Sequence, residues 1–196
     1  MTGNTKKSRL WMGVVILSLL AAGCASPYQV TKKKKTLDLK PDEGVALFSC
    51  QFRNRDNPAQ KNVFSVTSLG LQENNQYKAY KQKQNLVIPA SGAHYIRGED
   101  LFLFSLKLPR GTYRVTDFNG IFRAVFGLQY AASVNKLFDV LPGRVSYAGR
   151  VYVDFFVSGG QTHEVKVENQ FIEDEGRFKD GFPVLGGRTI VKDLLY

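Results

Sequence analysis

The 196-residue chain is poor in the residues from which most reactive sites are built: it has two Cys, two His and one Trp. Two Cys exclude a disulfide framework. The longest apolar stretch, Leu10–Ala22 (LWMGVVILSLLAA), falls short of the roughly 20 residues that a membrane-spanning helix needs. No G-x-S-x-G, P-loop or dinucleotide-binding fingerprint occurs, so the common sequence marks of hydrolases and nucleotide enzymes are missing. Internal repeats are absent, and the single low-complexity run is Lys32-Lys33-Lys34-Lys35. What the chain does have is aromatic mass, 14 Phe and 9 Tyr, which is enough to build a core. It also has 27 basic against 17 acidic residues. A net charge of +10 raises nucleic acid or an anionic membrane as partner, and the placement of the charges decides between them.

Lys6, Lys7 and Arg9 precede the apolar stretch, and small residues follow it at Ala21-Ala22-Gly23. A basic start, ~7–15 apolar residues and a small-residue end form a secretory signal peptide. An uncleaved anchor with its basic start inside would leave Lys32–Lys35 on the far side, against the positive-inside rule. Leu20-Ala21-Ala22-Gly23-Cys24 resembles the lipobox of bacterial lipoproteins, with Ala21 where that family usually has Leu. The resemblance implies cleavage between Gly23 and Cys24 and a diacylglycerol on Cys24 as the mature N-terminus. Position 25 is Ala rather than the Asp that marks inner-membrane retention in Gram-negative lipoproteins. It therefore implies outer-membrane sorting, with the chain held on the periplasmic side by its acyl chains.

Removing residues 1–23 leaves a charge of +7, and setting aside Lys32–Lys35 leaves +3 over residues 36–196. Export and this mild balance argue against nucleic acid. The four lysines read as a solvated tether or as a basic patch on an anionic surface, each Lys contributing about 1 kcal/mol in the second case. Residues 1–23 are read as signal peptide, 24–43 as an acylated, lysine-rich tether and 44–196 as the folded domain.

From residue 45 the pattern is that of β structure. Val45–Phe52, Asn62–Leu71, Leu86–Ile88, Leu101–Leu108, Thr112–Thr116, Arg144–Val157 and Gln161–Ile172 are strand candidates bounded by Gly, Pro, Asn or Asp clusters. Leu101 and Leu103 make the second face of their strand apolar as well. In Arg144–Val157 one parity carries Val145, Tyr147, Val151, Val153 and Phe155, and Gly149 marks a bulge or bend. Ile121–Phe126 reads as either strand or helical turn, and Thr189–Tyr196 as a short C-terminal helix. The expected fold is all-β, an antiparallel β-sandwich of about seven strands, with an incomplete barrel as the alternative. Leu108-Pro109-Arg110-Gly111-Thr112-Tyr113-Arg114-Val115 and Pro142-Gly143-Arg144-Val145-Ser146-Tyr147-Ala148-Gly149 resemble segments of uncharacterised lipoproteins with a transthyretin-like or carboxypeptidase-regulatory-like sandwich. That likeness implies fold alone.

Candidate chemistry is sparse. With Cys24 acylated, one thiol remains, which excludes Cys₂His₂ zinc. Cys50 lies on a strand among Ala46, Phe48 and Phe52 and reads as a small core residue. His163 sits on an apolar parity as a structural residue, and His94 sits in a loop. Glu173-Asp174-Glu175 with Asp180 is the densest acidic cluster, lacks calcium-loop spacing, and reads as a solvated loop. Tyr77, Tyr80, Tyr95 and Tyr152 fall on polar stretches or parities, where Tyr stacks on sugars or anchors partners. No metal, cofactor or catalytic group is expected beyond the covalent lipid. Two function classes follow: a non-enzymatic structural or protein-interaction module of the envelope, and a glycan or small-ligand binding module on the same scaffold.

Overall fold

A computed structural model describes residues 26–30, 36–74, 85–123, 127–156 and 162–196. Among these, ten strands build two sheets: β1 (Glu43–Asn54), β2 (Phe64–Glu73), β3 (Asn85–Pro89), β4 (His94–Ile96), β5 (Leu101–Pro109), β6 (Gly111–Phe122), β7 (Leu128–Val140), β8 (Val145–Phe156), β9 (Thr162–Glu168) and β10 (Ile190–Lys192). One sheet has the order β10-β8-β1-β5-β4, with β9 sharing the free edge of β8 with β10; the other has the order β3-β2-β6-β7. The all-β sandwich is the fold of this chain. Ile121 and Phe122 belong to strand β6, not to a helical turn.

Three features depart from expectation. The first sheet is mixed, because β8 runs parallel to β1 and β10 runs parallel to β8. Parallel neighbours need a long crossover, and here the chain builds the whole second sheet, with β4 and β5, between β1 and β8. The strand count exceeds seven because of short edge strands such as β4 and β10, too brief for periodicity to register. Thr189–Tyr196 is not helical. The helix, α1, spans Phe171–Gly181, where a strand and an acidic loop were expected. Its apolar positions Phe171 and Phe178 are too sparse to give a helical period. Instead, Glu173 and Asp174 favour the positive end of the helix dipole. Ion pairs Glu173–Arg177 and Glu175–Lys179, both 2.7 Å and four residues apart, support the exposed side.

The helix explains why β1 and β5 are apolar on both faces. Their inward residues, among them Phe48, Phe52, Phe104 and Leu106, meet Phe118, Tyr113 and Phe138 of the second sheet. Their outward residues Val45, Leu47, Leu101 and Leu103 form a second core with Tyr147, Phe178, Phe182 and Leu185. Each fully buried side chain of this size contributes roughly 1.5–3 kcal/mol.

Gly149 decides which residues of β8 face which layer. Its φ of 113° is open to glycine and strained for other residues. Opposite it the β1–β8 register slips by one residue, pairing Leu47 with Tyr147 but Phe48 with Gly149. A one-residue bulge exchanges the faces of a strand. The single parity read for Val145–Val157 is therefore split: Val145 and Tyr147 face α1, whereas Val151, Val153 and Phe155 face the sandwich core. The same slip turns Arg150 toward the helix.

Of the stretch read as tether, the described residues include several packed on the domain. Val30 and Leu37 are buried. Gln29 bridges Leu106 on the open edge of β5, the Val30 amide donates to the Ser105 carbonyl (3.0 Å) and the Lys107 amide to the Tyr28 carbonyl (2.7 Å). Gln29 Nε2 adds a bond to the Pro89 carbonyl at 2.6 Å.

Glu43, at the start of β1, accepts from the Lys40 amide (2.9 Å) and pairs with Lys107 Nζ (3.2 Å). The amide first, with Lys107 after it, holds the Glu43 carboxyl below its ordinary 4.5. Its contribution to stability is thus complete above pH 4.5 and is lost as pH falls from there through the lowered folded value. Asp100, raised from 3.8 chiefly by burial, acts in the opposite sense: its contribution declines as pH rises from 3.8 toward the raised value. Glu43→Gln is expected to lose less stability than wild type between pH 6 and pH 3 in urea titrations. An identical loss in both proteins would contradict the assignment.

Candidate functional site

The densest polar constellation lies beneath α1. Arg150 comes up from β8 just past the Gly149 bulge, and Asp174 comes down from the first turn of α1; their side chains are 4% and 0% exposed. The guanidinium grips the carboxylate through Nη2 to Oδ1 and through Nε to Oδ2 at 3.3 Å. Ser49 Oγ of β1 and the Tyr147 hydroxyl of β8 donate to the same Oδ2, at 2.6 and 2.7 Å. Burial, together with the neighbouring Asp174 carboxylate, pushes the Tyr147 hydroxyl well above its ordinary 10, so it remains a donor. Every oxygen of this buried carboxylate is therefore satisfied. Arg150 Nη2 also reaches Glu173 at 3.2 Å, and Arg177 links Glu173 to Glu99, each at 2.7 Å. Ser49 and Tyr147 donate to Asp174, and Arg150 divides its guanidinium among Asp174, Glu173 and the Tyr152 hydroxyl. Chemically the arrangement clamps the helix to the sheet.

The clamp continues along β8. Tyr152, read from the sequence as an exposed contact residue, is only 7% exposed. Arg53 Cζ lies 4.2 Å from its ring centroid and Arg150 Cζ 5.8 Å from it. Arg53 is itself held by Asp154 through two bonds, of 2.5 and 2.8 Å. The parity that looked polar is the face the helix layer covers, so its Tyr packs between cations.

Tyr95 lies elsewhere. Its ring packs on Phe102, and its hydroxyl is shared between Asn62 Oδ1 (2.9 Å) and Asp100 Oδ1 (3.1 Å). Burial, followed by the Asp100 charge, pushes the hydroxyl up to about 12. Asn62 and Asp100 both adopt positive φ, 59° and 48°, and the Asn62 amide donates to Asp100 Oδ2 at 2.9 Å. The knot ties the loop before β2 to the loop before β5. Tyr95 and Tyr152 do not converge. Gly23, Cys24, Lys32–Lys35, Tyr77 and Tyr80 lie outside the described residues.

His94 is not a loop surface residue, since it opens β4 and packs near Phe182 beside the end of α1. A Cβ at Gly181 would stand 2.9 Å from its ring. His163 of β9 stands against Phe155. Cys50 is fully buried among the core aromatics, as its strand neighbours suggested, and burial raises its thiol well above 9.0. Among the described residues no three His, Cys, Asp or Glu side chains gather as a metal site. A cleft of about 210 Å³ opens where β6, β7, β8 and β9 meet, lined by Phe122, Leu128, Tyr130, Phe155 and His163. Gln129 and Ala131 complete the lining, so one phenol, one imidazole and one amide side chain stand among aromatic and aliphatic ones.

No family model matches this chain. No curated protein is similar to it either. Among solved structures it is similar to a leucine-rich repeat protein from Bacteroides thetaiotaomicron VPI-5482, with a TM-score of 0.36 and 14% identity over 61% of this chain. The chain spans 14% of the length of that protein. A likeness so slight carries no argument.

Arg150, Asp174, Ser49 and Tyr147 were missed as a group by sequence reasoning. Two signals pointed to them: strands apolar on both faces, which imply a second covering layer, and an arginine inside the most apolar strand, which implies a buried partner.

Proposed function

We propose that this protein is a lipoprotein anchored by acylated Cys24 to the periplasmic side of the outer membrane, where its sandwich serves as a non-enzymatic structural or protein-interaction module. The supporting sequence features are the ordered basic start, apolar stretch and Gly23-Cys24, with Ala25 next. The observation that supports the reading is that residues shortly after Cys24 are part of the folded domain. Tyr28, Gln29 and Val30, four to six residues past Cys24, are bonded to the edge of β5. A mature chain that starts at Cys24 keeps Tyr28, Gln29 and Val30, so loss of residues 1–23 removes none of these contacts. Two or three acyl chains hold such a domain firmly, whereas one does so only marginally.

Replacing Cys24 with Ser tests this. The wild-type chain is expected to incorporate labelled palmitate and to stay with membranes through a carbonate wash, and the variant to do neither. A Cys24→Ser chain that still pellets after the wash would contradict the reading.

The second reading, a small-ligand module, is favoured by one observation, the aromatic cleft lined by Tyr130, Phe155 and His163. Of the four tyrosines first suggested for it, Tyr95 and Tyr152 are engaged elsewhere, and Tyr77 and Tyr80 lie outside the described residues.

A further inference from the structure

One side of the sandwich, between β7 of one sheet and β8 with β9 of the other, is closed unevenly. Where β7 reaches Leu137, Leu195 and Tyr196 span from sheet to sheet. Leu195 is buried and its amide bonds the Ala148 carbonyl of β8 at 2.7 Å, while Tyr196 exchanges two backbone bonds with Leu137, at 2.8 and 3.0 Å. At Leu128–Ala131, farther back along β7, no described segment takes that place, and the cleft of about 210 Å³ opens there. We infer that this cleft binds a small uncharged phenol, a single aromatic ring carrying a hydroxyl, with the ring against Phe122 and Phe155 and the hydroxyl bonded to His163. This ligand class rests on the small-ligand reading above.

The walls are fixed by their own packing. Phe155 is the hub: Phe122 lies parallel to it, with 2° between planes and 6.4 Å between centroids, Tyr130 meets it edge-on at 5.0 Å, and His163 stands at 5.8 Å. Tyr130 lies over Gly120 of β6, where a Cβ would collide with the hydroxyl end of its ring. Rings that brace one another in this way do not collapse into the gap, and small-molecule sites are largely pre-formed. A cavity of ~150 Å³ holds one benzene ring, and pockets for drug-sized ligands begin near ~300 Å³. The cleft lies between these sizes and suits one substituted ring.

None of the lining side chains is an Asp, Glu, Lys or Arg. The nearest charges in sequence are Arg123, which follows Phe122, and Arg55, whose amide donates to the Phe155 carbonyl at 2.9 Å. Asp56 and Glu164 stand next to Arg55 and His163, so the rim favours neither sign. A charged ligand would give up its water for a wall without a counter-ion, and a cation would recover part of that cost from the ring faces. A neutral ring meets no such cost and gains apolar burial and ring contacts. Of the polar groups in the wall, the Tyr130 hydroxyl already donates to the Ser65 carbonyl at 3.5 Å. His163 meets Phe155 through its ring, and among the described residues no partner bonds its nitrogens. A phenol hydroxyl both donates and accepts, so it suits an imidazole in either tautomer.

The test uses the full-length protein in detergent and fluorine NMR of three probes of one shape: p-fluorophenol, p-fluorobenzoate and p-fluorobenzylammonium. Ala131→Trp fills the cleft from an exposed position and reports uptake by detergent or by any other site; Gln129→Trp does the same if the first variant does not fold. Wild type is expected to bind p-fluorophenol with a Kd of about 1 mM or below. Binding is expected to be at least about tenfold weaker for both charged probes and in the Trp variant, and His163→Phe to weaken it several-fold. A charged probe that binds as tightly as the phenol, and is lost in the Trp variant, overturns the ligand class and leaves the cleft a ligand site. If no probe distinguishes wild type from the Trp variant, the cleft is not a site, and the small-ligand reading falls with the phenol. An affinity for p-fluorophenol that is unchanged in His163→Phe overturns the bond to the imidazole.

Discussion

Replacing Asp174 with Ala is expected to cost about 3–5 kcal/mol of stability, the effect of leaving a buried charge without its partner. Arg150 is nearly fully enclosed, and its guanidinium loses both of its bonds to the carboxylate. Ser49 and Tyr147 lose their acceptor in the same step, which strands two more buried donors. The damage spreads to the second core, because α1 brings Phe178 down onto the outer face of the sheet. A double replacement, Arg150→Met with Asp174→Leu, is expected to be milder, since it leaves no unpaired buried charge, while the cost of the stranded Ser49 and Tyr147 hydroxyls remains. Urea unfolding of both variants checks this. A loss below about 1 kcal/mol for Asp174→Ala, the range of exposed ion pairs, would show that α1 does not depend on the clamp.

The second large effect is expected at Phe52. Its ring stacks on Phe64 at 5.5 Å and on Phe155 at 6.2 Å, and meets Phe102 and Phe118 edge-on. Tyr130 closes the group at 5.4 Å. Phe52 therefore joins both sheets, and aromatic neighbours of this size cannot collapse into the space it leaves. Phe52→Ala is expected to cost about 3–5 kcal/mol, with Phe52→Leu well under half of that. A thermal unfolding series across the two variants separates the cavity from the loss of ring contacts. Equal losses for Ala and Leu would point to ring geometry rather than volume.

These two sites also show what the sequence could reveal. Alternating Phe102, Phe104, Leu106 and Leu108 announced a strand with a core face, and Leu101 and Leu103 announced that the other face is covered as well. The covering element was harder to see, because α1 carries few apolar residues and its Glu173-Asp174-Glu175 looks like any solvated acidic run. Asp174 becomes a core residue only through Arg150, which is distant in sequence, and local periodicity holds no record of that pairing. Gly149 was visible as an interruption, but the direction in which it turned Tyr152 depended on the register against β1. Tyr95 was placed on a polar stretch, yet Asn62 and Asp100 engage its hydroxyl from two different loops. The cleft depends on Phe122, Phe155 and His163 meeting at the end of the sandwich, a juxtaposition of three strands.

The anchor is the central claim, and it has a direct chemical signature. The protein is extracted from membranes with detergent and the mass of the intact chain is measured, followed by that of its N-terminal proteolytic fragment. A chain beginning at Cys24 and carrying a diacylglycerol adduct, with or without a further acyl chain, is the expected result. A chain that retains residues 1–23, or one that begins elsewhere with Cys24 unmodified, would contradict it.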